Sequence, residues 1–463
     1  MTEANRVTMA PLRERMLRAG MWLLGSNIAS QALRLVSSLI LTRLLVPQAF
    51  GLVAAVQTLY FALVMFSDLG VWQSVVNSER GRDTQFLGSA FSVQIVRGAL
   101  LAIVVLVMSV ALAVAADYRA FPQDTVYADS RLPWMMAVFA VSALLQGAES
   151  MHLATAQRDL HAGQLARLEL LSQIAGMVVT IAAAVITRSV WSLVAGTLTA
   201  TLARTVFSHL ILPGRPVRPC WDASCIREIV GFGKWIFLSS LIGFAAAHGE
   251  KILLGGTLPA TVFGVFSIAT TLLAAFTGVV GTLNAHLVFP GLSEALRNGS
   301  SEAARVYARV QQLADGILGF AAGATFAAGG WAVRLLYDPR YAEASWMLEL
   351  LGLSLLAVRF QVLEQMMFAR GQPAWVTASN ALRALSLAAS IPLGYSLGAE
   401  RGAVIAVVAS QFVGWPLAIV FKHRAGLLDW RTERIWPLAL ASGFVAGHLL
   451  DALLHSLSTL FGH

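Results

Sequence analysis

The chain has 463 residues, 57% of them hydrophobic and only 13% charged, with a mean hydropathy of +0.69. These values exclude a string of soluble domains and define an all-α polytopic membrane protein. The formal charge of +8, from 33 Lys+Arg against 25 Asp+Glu, is then first a topology signal, and no nucleic-acid partner is implied.

A bilayer crossing needs about 20 apolar residues. In chain order, stretches of that length fall at 19–42, 49–77, 86–116, 132–154, 165–187, 190–212, 229–254, 261–289, 310–336, 346–369, 374–397, 402–421 and 435–461. They make twelve spans plus a thirteenth. The basic segment Met1–Arg18 runs into a full-length apolar stretch with no small-residue cleavage site after it, so the first span reads as a retained helix. With the N-terminus in the cytoplasm, nineteen Lys/Arg fall in inside gaps. Seven fall outside: Arg43, Arg119, Arg131, Arg188, Arg334, Arg340 and Arg401. That positive-inside asymmetry predicts a cytoplasmic N-terminus. Cys220 and Cys225 are too few for a disulfide framework or a four-ligand zinc site, and no cofactor or metal is expected. His448, Asp451 and His455 share one face of the last span, where three groups on one helix do not surround an ion.

The two halves of the chain echo one another. Gly20, Trp22, Ser26, Phe50-Gly51, Thr58 and Leu59 recur as Gly233, Trp235, Ser239, Phe263-Gly264, Thr271 and Leu272, every pair 213 residues apart. Spans one and two therefore correspond to seven and eight, and the six spans between them make the halves parallel. The expected architecture is two pseudo-symmetric six-helix bundles around a central cavity: an N-lobe at 1–212, a cytoplasmic linker at 213–228, a C-lobe at 229–421 and a C-terminal extension at 422–463.

Seven basic residues remain within the spans: Arg34, Arg97, Arg204, Lys234, Lys251, Arg359 and Arg383. At roughly 2.5–3.5 kcal/mol for each mid-bilayer cation, they do not all face lipid. Three lie on matching polar stripes at i, i+4, i+7 and i+11: Asn27, Gln31, Arg34 and Ser38; Thr197, Thr201, Arg204 and Ser208; and Ser379, Arg383, Ser386 and Ser390. One reading is a cationic, hydroxyl-rich cavity for an anionic, sugar-bearing substrate. The other is interhelical hydrogen bonding and ion pairing with buried acids. Among those acids, Asp68, Glu250 and Asp315 are candidates for coupling to an ion, unless each merely neutralises a basic neighbour.

Two segments of the first half, Thr42-Arg43-Leu44-Leu45-Val46-Pro47-Gln48-Ala49-Phe50-Gly51 and Phe66-Ser67-Asp68-Leu69-Gly70-Val71, resemble the polysaccharide transporter family. These are the Wzx-type flippases of the multidrug/oligosaccharidyl-lipid/polysaccharide (MOP) exporter superfamily. Gly231-Phe232-Gly233-Lys234-Trp235, Glu250-Lys251-Ile252-Leu253-Leu254-Gly255 and Phe263-Gly264-Val265-Phe266-Ser267-Ile268-Ala269 extend the resemblance over about the first 300 residues. It implies a non-enzymatic carrier in the bacterial inner membrane that flips an undecaprenyl-pyrophosphate-linked oligosaccharide. A polymerase and co-polymerase of the same pathway would be partners, and an H+ or Na+ gradient the drive. Family motifs cover only the Asp68 segment and the Glu250-Lys251 pair; the cavity cations rest on periodicity. A thirteenth span departs from the usual twelve. The competing functions are a drug or cation antiporter of the same superfamily, which calls for cavity carboxylates, and a membrane polysaccharide polymerase or ligase, which calls for a large outside loop with catalytic groups.

Overall fold

The computed structural model describes residues 12–461 apart from 69, 160 and 215, and side chains outside 12–19, 230–240 and 457–461. The chain runs back and forth as helices. The first half comprises α1 (Leu12–Leu44), α2 (Pro47–Phe66), α3 (Val71–Asn77), α4 (Thr84–Asp117), α5 (Arg131–Gly147), α6 (His152–Arg158), α7 (Ala162–Thr187) and α8 (Trp191–Leu210). The second comprises α9 (Ala223–Thr257), α10 (Ala260–Leu283), α11 (Phe289–Arg297), α12 (Ser300–Leu336), α13 (Ala344–Gly352), α14 (Leu355–Val358), α15 (Phe360–Ala369), α16 (Pro373–Ser410), α17 (Trp415–Arg424) and α18 (Ile435–Phe461). Eight helical stretches among the described residues are long and apolar enough to cross a bilayer, or nine if the bent pair α5–α6 is one span.

Several expected spans are broken, each for a local reason. The second divides after Phe66: the Asp68 carboxylate accepts the Gly70 N–H at 2.9 Å, and Gly70 takes φ 64, which glycine adopts without a Cβ clash. The fourth bends by 60° between α5 and α6, where Ser208 on α8 accepts the Ser150 N–H at 3.0 Å. α10 passes through a π-helical turn, Asn284–Val288, before α11. α16 folds back at Gly398 and Ala399, the latter with φ 47, so that it holds the expected span 374–397 and the first part of 402–421, which continues into α17. α9 starts at Ala223, inside the expected linker, because Asp222 caps it by accepting the Ser224 and Cys225 N–H groups at 2.9 and 3.0 Å.

The halves meet at the end that holds the turns after α1, α9 and α12. Arg340 donates to the Thr42 and Arg43 carbonyls at 3.2 and 3.1 Å, Tyr341 to the Leu45 carbonyl at 2.9 Å, and Tyr127 to the Ile252 carbonyl at 3.0 Å. The Ala260 N–H donates to the Asp124 carbonyl at 2.8 Å. Helices α2 and α10 cross here with almost no separation. A Cβ placed on Gly264 would lie 1.9 Å from the Pro47 carbonyl oxygen, and one on Gly51 2.8 Å from that of Ala260. Pro47 and Ala260, like Gly51 and Gly264, are 213 residues apart. The largest buried apolar cluster lies at this junction and draws Leu52, Val56 and Phe139 from the first half and Phe263, Phe266 and Met347 from the second.

The last helix is not an appendage. α18 lies along α12 through small residues on both helices: Gly443 approaches the Phe320 carbonyl so closely that an added Cβ would sit 2.1 Å from it, and Gly323 meets the Leu440 carbonyl in the same way. Close backbone approach through spaced small residues is how helices associate in lipid, where burial of apolar surface supplies little.

Candidate functional site: a cationic cavity between the halves

The polar stripe on α1 is aimed at the second half of the molecule. Gln31 donates to the Ala274 carbonyl on α10 at 3.3 Å, and Ser38 hydrogen-bonds the Tyr337 hydroxyl at 3.3 Å. The Asn27 Oδ1 atom is buried without a hydrogen-bond partner. Between these anchors, Arg34 faces a cavity of about 450 Å³ walled by α1, α2, α7, α8 and α10. Its polar wall consists of Ser37, Ser38, Gln57, Gln173, Thr180, Thr197, Ser267 and Thr271, and Arg34 is its single charged residue. No carboxylate lies within 4 Å of Arg34 among the described residues. A guanidinium left unpaired at membrane depth is tolerated where water or an anionic ligand reaches it.

The stripe on α8 divides. Thr197 reaches the cavity, where the Gln57 amide donates to it at 3.5 Å. Arg204 does not: it pairs with Glu149 at 3.0 Å and also with Glu169. Ser208 is buried at the bend between α5 and α6. The stripe on α16 leads elsewhere. Ser379 and Arg383 line a second cavity, of about 190 Å³, between α15, α16 and α17.

Contacts between helices surround most of the remaining candidates. Arg97 donates to the Val64 carbonyl at 2.9 Å and to the Ser67 hydroxyl at 3.2 Å, so it caps the C-terminus of α2, as a cation favourably does. It borders an otherwise apolar groove. Arg359 and Asp315 bind each other, Nε to Oδ1 at 2.7 Å and Nη2 to Oδ2 at 3.0 Å, in a buried cluster with Glu433 and Lys422. A third bond, from Gln311 at 2.6 Å, adds to the load on Asp315. This leaves no exposed acceptor to take an ion. Asp68 closes the turn before α3. Glu250 and Lys251 stand side by side on α9 and, among the described residues, form no ion pair with each other. Lys234 lies outside the described side chains.

Sequence reasoning passed over the amides. Gln57 and Gln173 in the first cavity, and Gln361, Asn380 and Gln411 in the second, belong to none of the three stripes. Their presence at membrane depth, where each polar group is costly unless bonded, was the available signal. Outside the spans, the Ser224 hydroxyl and then the Cys225 N–H hold the Asp222 carboxyl down at about 2. Among the described residues, no group of three His, Cys, Asp or Glu is placed to hold a metal ion.

The described residues form a multi-pass helical bundle with a polar, singly charged cavity, the architecture of a polytopic membrane protein. The fold agrees. The structure of the lipid II flippase MurJ in an inward closed conformation superposes with a TM-score of 0.70 at 8% identity, covering 92% of each chain. An inward-facing multidrug resistance MATE family transporter of the MOP superfamily superposes at 0.62 with 13% identity, over 90% of this chain and 98% of the other. Residues 40–346, more than half of the chain, match the family described as "Polysaccharide biosynthesis protein". The chain belongs to that family, and it shares the fold of the two solved structures. A Klebsiella pneumoniae protein described as an "Uncharacterized membrane protein in cps region" is 20% identical over 287 residues, 61% of this chain and 56% of that relative. The match spans little more than half the relative's length.

Proposed function

We propose that the protein is a flippase that carries undecaprenyl-pyrophosphate-linked repeat units across the bacterial inner membrane by alternating access. The product would feed exopolysaccharide, capsule or O-antigen synthesis. The observation that carries this reading is Arg34, an unpaired cation in a hydroxyl- and amide-lined cavity between the halves. A pyrophosphate needs a cation that is not already neutralised, sugars need neutral donors and acceptors, and a polyprenyl chain needs neither and stays in lipid. A cationic drug would need a carboxylate in that wall, and it has none. The contacts of Arg340 and Tyr341 with the end of α1 suit a state closed at one end. The close crossing of α2 and α10 at Gly51 and Gly264 offers the pivot. Glu250 is the candidate coupling acid, since among the described residues it is not consumed by an ion pair.

The test is transfer of a purified lipid-linked oligosaccharide between leaflets of proteoliposomes holding the full chain. Transfer that stops when proton and sodium gradients are collapsed is the expected result. No transfer under any gradient, with uptake of a cationic dye in its place, refutes the proposal. Orientation is tested separately. With the N-terminus cytoplasmic and thirteen crossings, a reporter fused after His463 reads periplasmic, and a cytoplasmic reading removes one crossing.

A further inference from the structure

The second cavity differs from the first in carrying both signs of charge. Glu364 on α15 and Arg383 on α16 line the same space of about 190 Å³, yet among the described residues neither forms an ion pair within 4 Å. The Arg383 Nε–H is buried with no acceptor. Gln361, Asn380 and Gln411 complete the polar wall. Gln361 is fixed from behind: its Oε1 accepts from Asn284 at 3.0 Å, which leaves its amide hydrogens for the cavity. Asn284 is itself buried in the π-helical turn of α10, a kind of insertion that occurs often at functional sites. Trp375 supplies an apolar wall, held by Phe421 edge-on at 5.4 Å and by Arg424 at 5.8 Å.

A small anion would be repelled by Glu364 and a small cation by Arg383. A hydroxyl suits both, because it donates to a carboxylate and accepts from a guanidinium at once. Several hydroxyls on one rigid ring would also engage the three amides, while the ring's C–H face packs on the tryptophan. The volume equals about six waters at roughly 30 Å³ each, the scale of one sugar ring and below the about 300–1,000 Å³ of sites for larger ligands.

We infer that the cavity between α15, α16 and α17 is a saccharide subsite that holds one sugar ring of the passenger, separately from the Arg34 cavity that takes its phosphates. This rests on the flippase reading, and the experiment separates the two. Full-length protein in nanodiscs is titrated with undecaprenyl pyrophosphate alone and with the same lipid bearing its oligosaccharide, for the wild type, Asn380→Ala and Gln411→Ala. Either substitution is expected to weaken binding of the glycosylated lipid about tenfold, the effect of losing a hydrogen bond in a buried site, and to leave the bare lipid unchanged. Glycosylated lipid bound as tightly by both variants as by the wild type overturns the subsite and leaves the flippase reading standing. Equal weakening for both lipids overturns it too, since the cavity would then serve the phosphates or the fold. Wild-type protein that binds neither lipid removes the flippase reading and the subsite with it.

Discussion

Asp315→Ala is expected to destabilise the protein by about 3–5 kcal/mol, the cost of removing one partner from a buried ion pair. The side chains of Asp315, Arg359 and Lys422 are 0, 2 and 3% exposed, and that of Glu433 is 16% exposed. Two cations and two carboxylates balance there, with Arg359 bridging Asp315 and Glu433 and Lys422 closing on Glu433 at 2.5 Å. Phe360, Trp415 and Trp436 surround the guanidinium at 5.5–6.0 Å. The cluster joins α12, α15 and α17 to the segment that leads into α18. Without Asp315, the guanidinium loses its bidentate partner in a place water does not reach. The double variant Asp315→Ala/Arg359→Leu is expected to recover most of the loss, because a buried pair is often no better than apolar packing of similar volume. Thermal unfolding of the detergent-solubilised full chain measures both. A single variant within about 1 kcal/mol of the wild type would show that the pair is not desolvated. Gradient-dependent transport retained by the double variant is the expected sign that Asp315 is an anchor and not the coupling acid.

Arg34→Ala is expected to lower export of the polysaccharide about a hundredfold or more with normal membrane insertion. A guanidinium makes two charge-assisted hydrogen bonds to a phosphate group, each worth about 1.5–3 kcal/mol. Losing both moves an equilibrium by at least that factor. Because Arg34 has no structural ion pair within 4 Å to break, the variant should fold as the wild type does, unlike one at Arg204 or Arg359. Arg34→Lys keeps the charge but not the planar fork, and partial export is expected. Quantifying surface polysaccharide alongside the membrane content of each variant decides the matter, and wild-type export by Arg34→Ala would sink the cavity's role.

Both predictions turn on a distinction that periodicity did not make. Arg34, Arg204 and Arg383 sit on the same kind of stripe, with hydroxyls at the same spacings. One faces an open cavity, one is neutralised by Glu149 and Glu169, and one shares a small cavity with Glu364. A stripe says which face of a helix is polar, and lines up the candidates. It does not say what stands opposite, since Glu149 lies in the bend between α5 and α6, 55 residues from Arg204. The broken spans were missed for a related reason. Asp68 and Gly70 signal a turn, but their mean hydropathy is diluted by the apolar residues on either side, so a window of about 20 residues reads straight through them.

What the chain determined by itself was its solvent and its family. Apolar runs and the sorting of basic residues are local properties that a bilayer imposes directly on the chain, and the repeat at an interval of 213 is visible when the chain is compared with itself. The pairing of the intramembrane charges was decided only in the tertiary structure. Arg359 meets Asp315 across 44 residues and Glu433 across 74, and in a medium that does not screen charge, a few ångströms between helices separate an inert ion pair from a free binding cation.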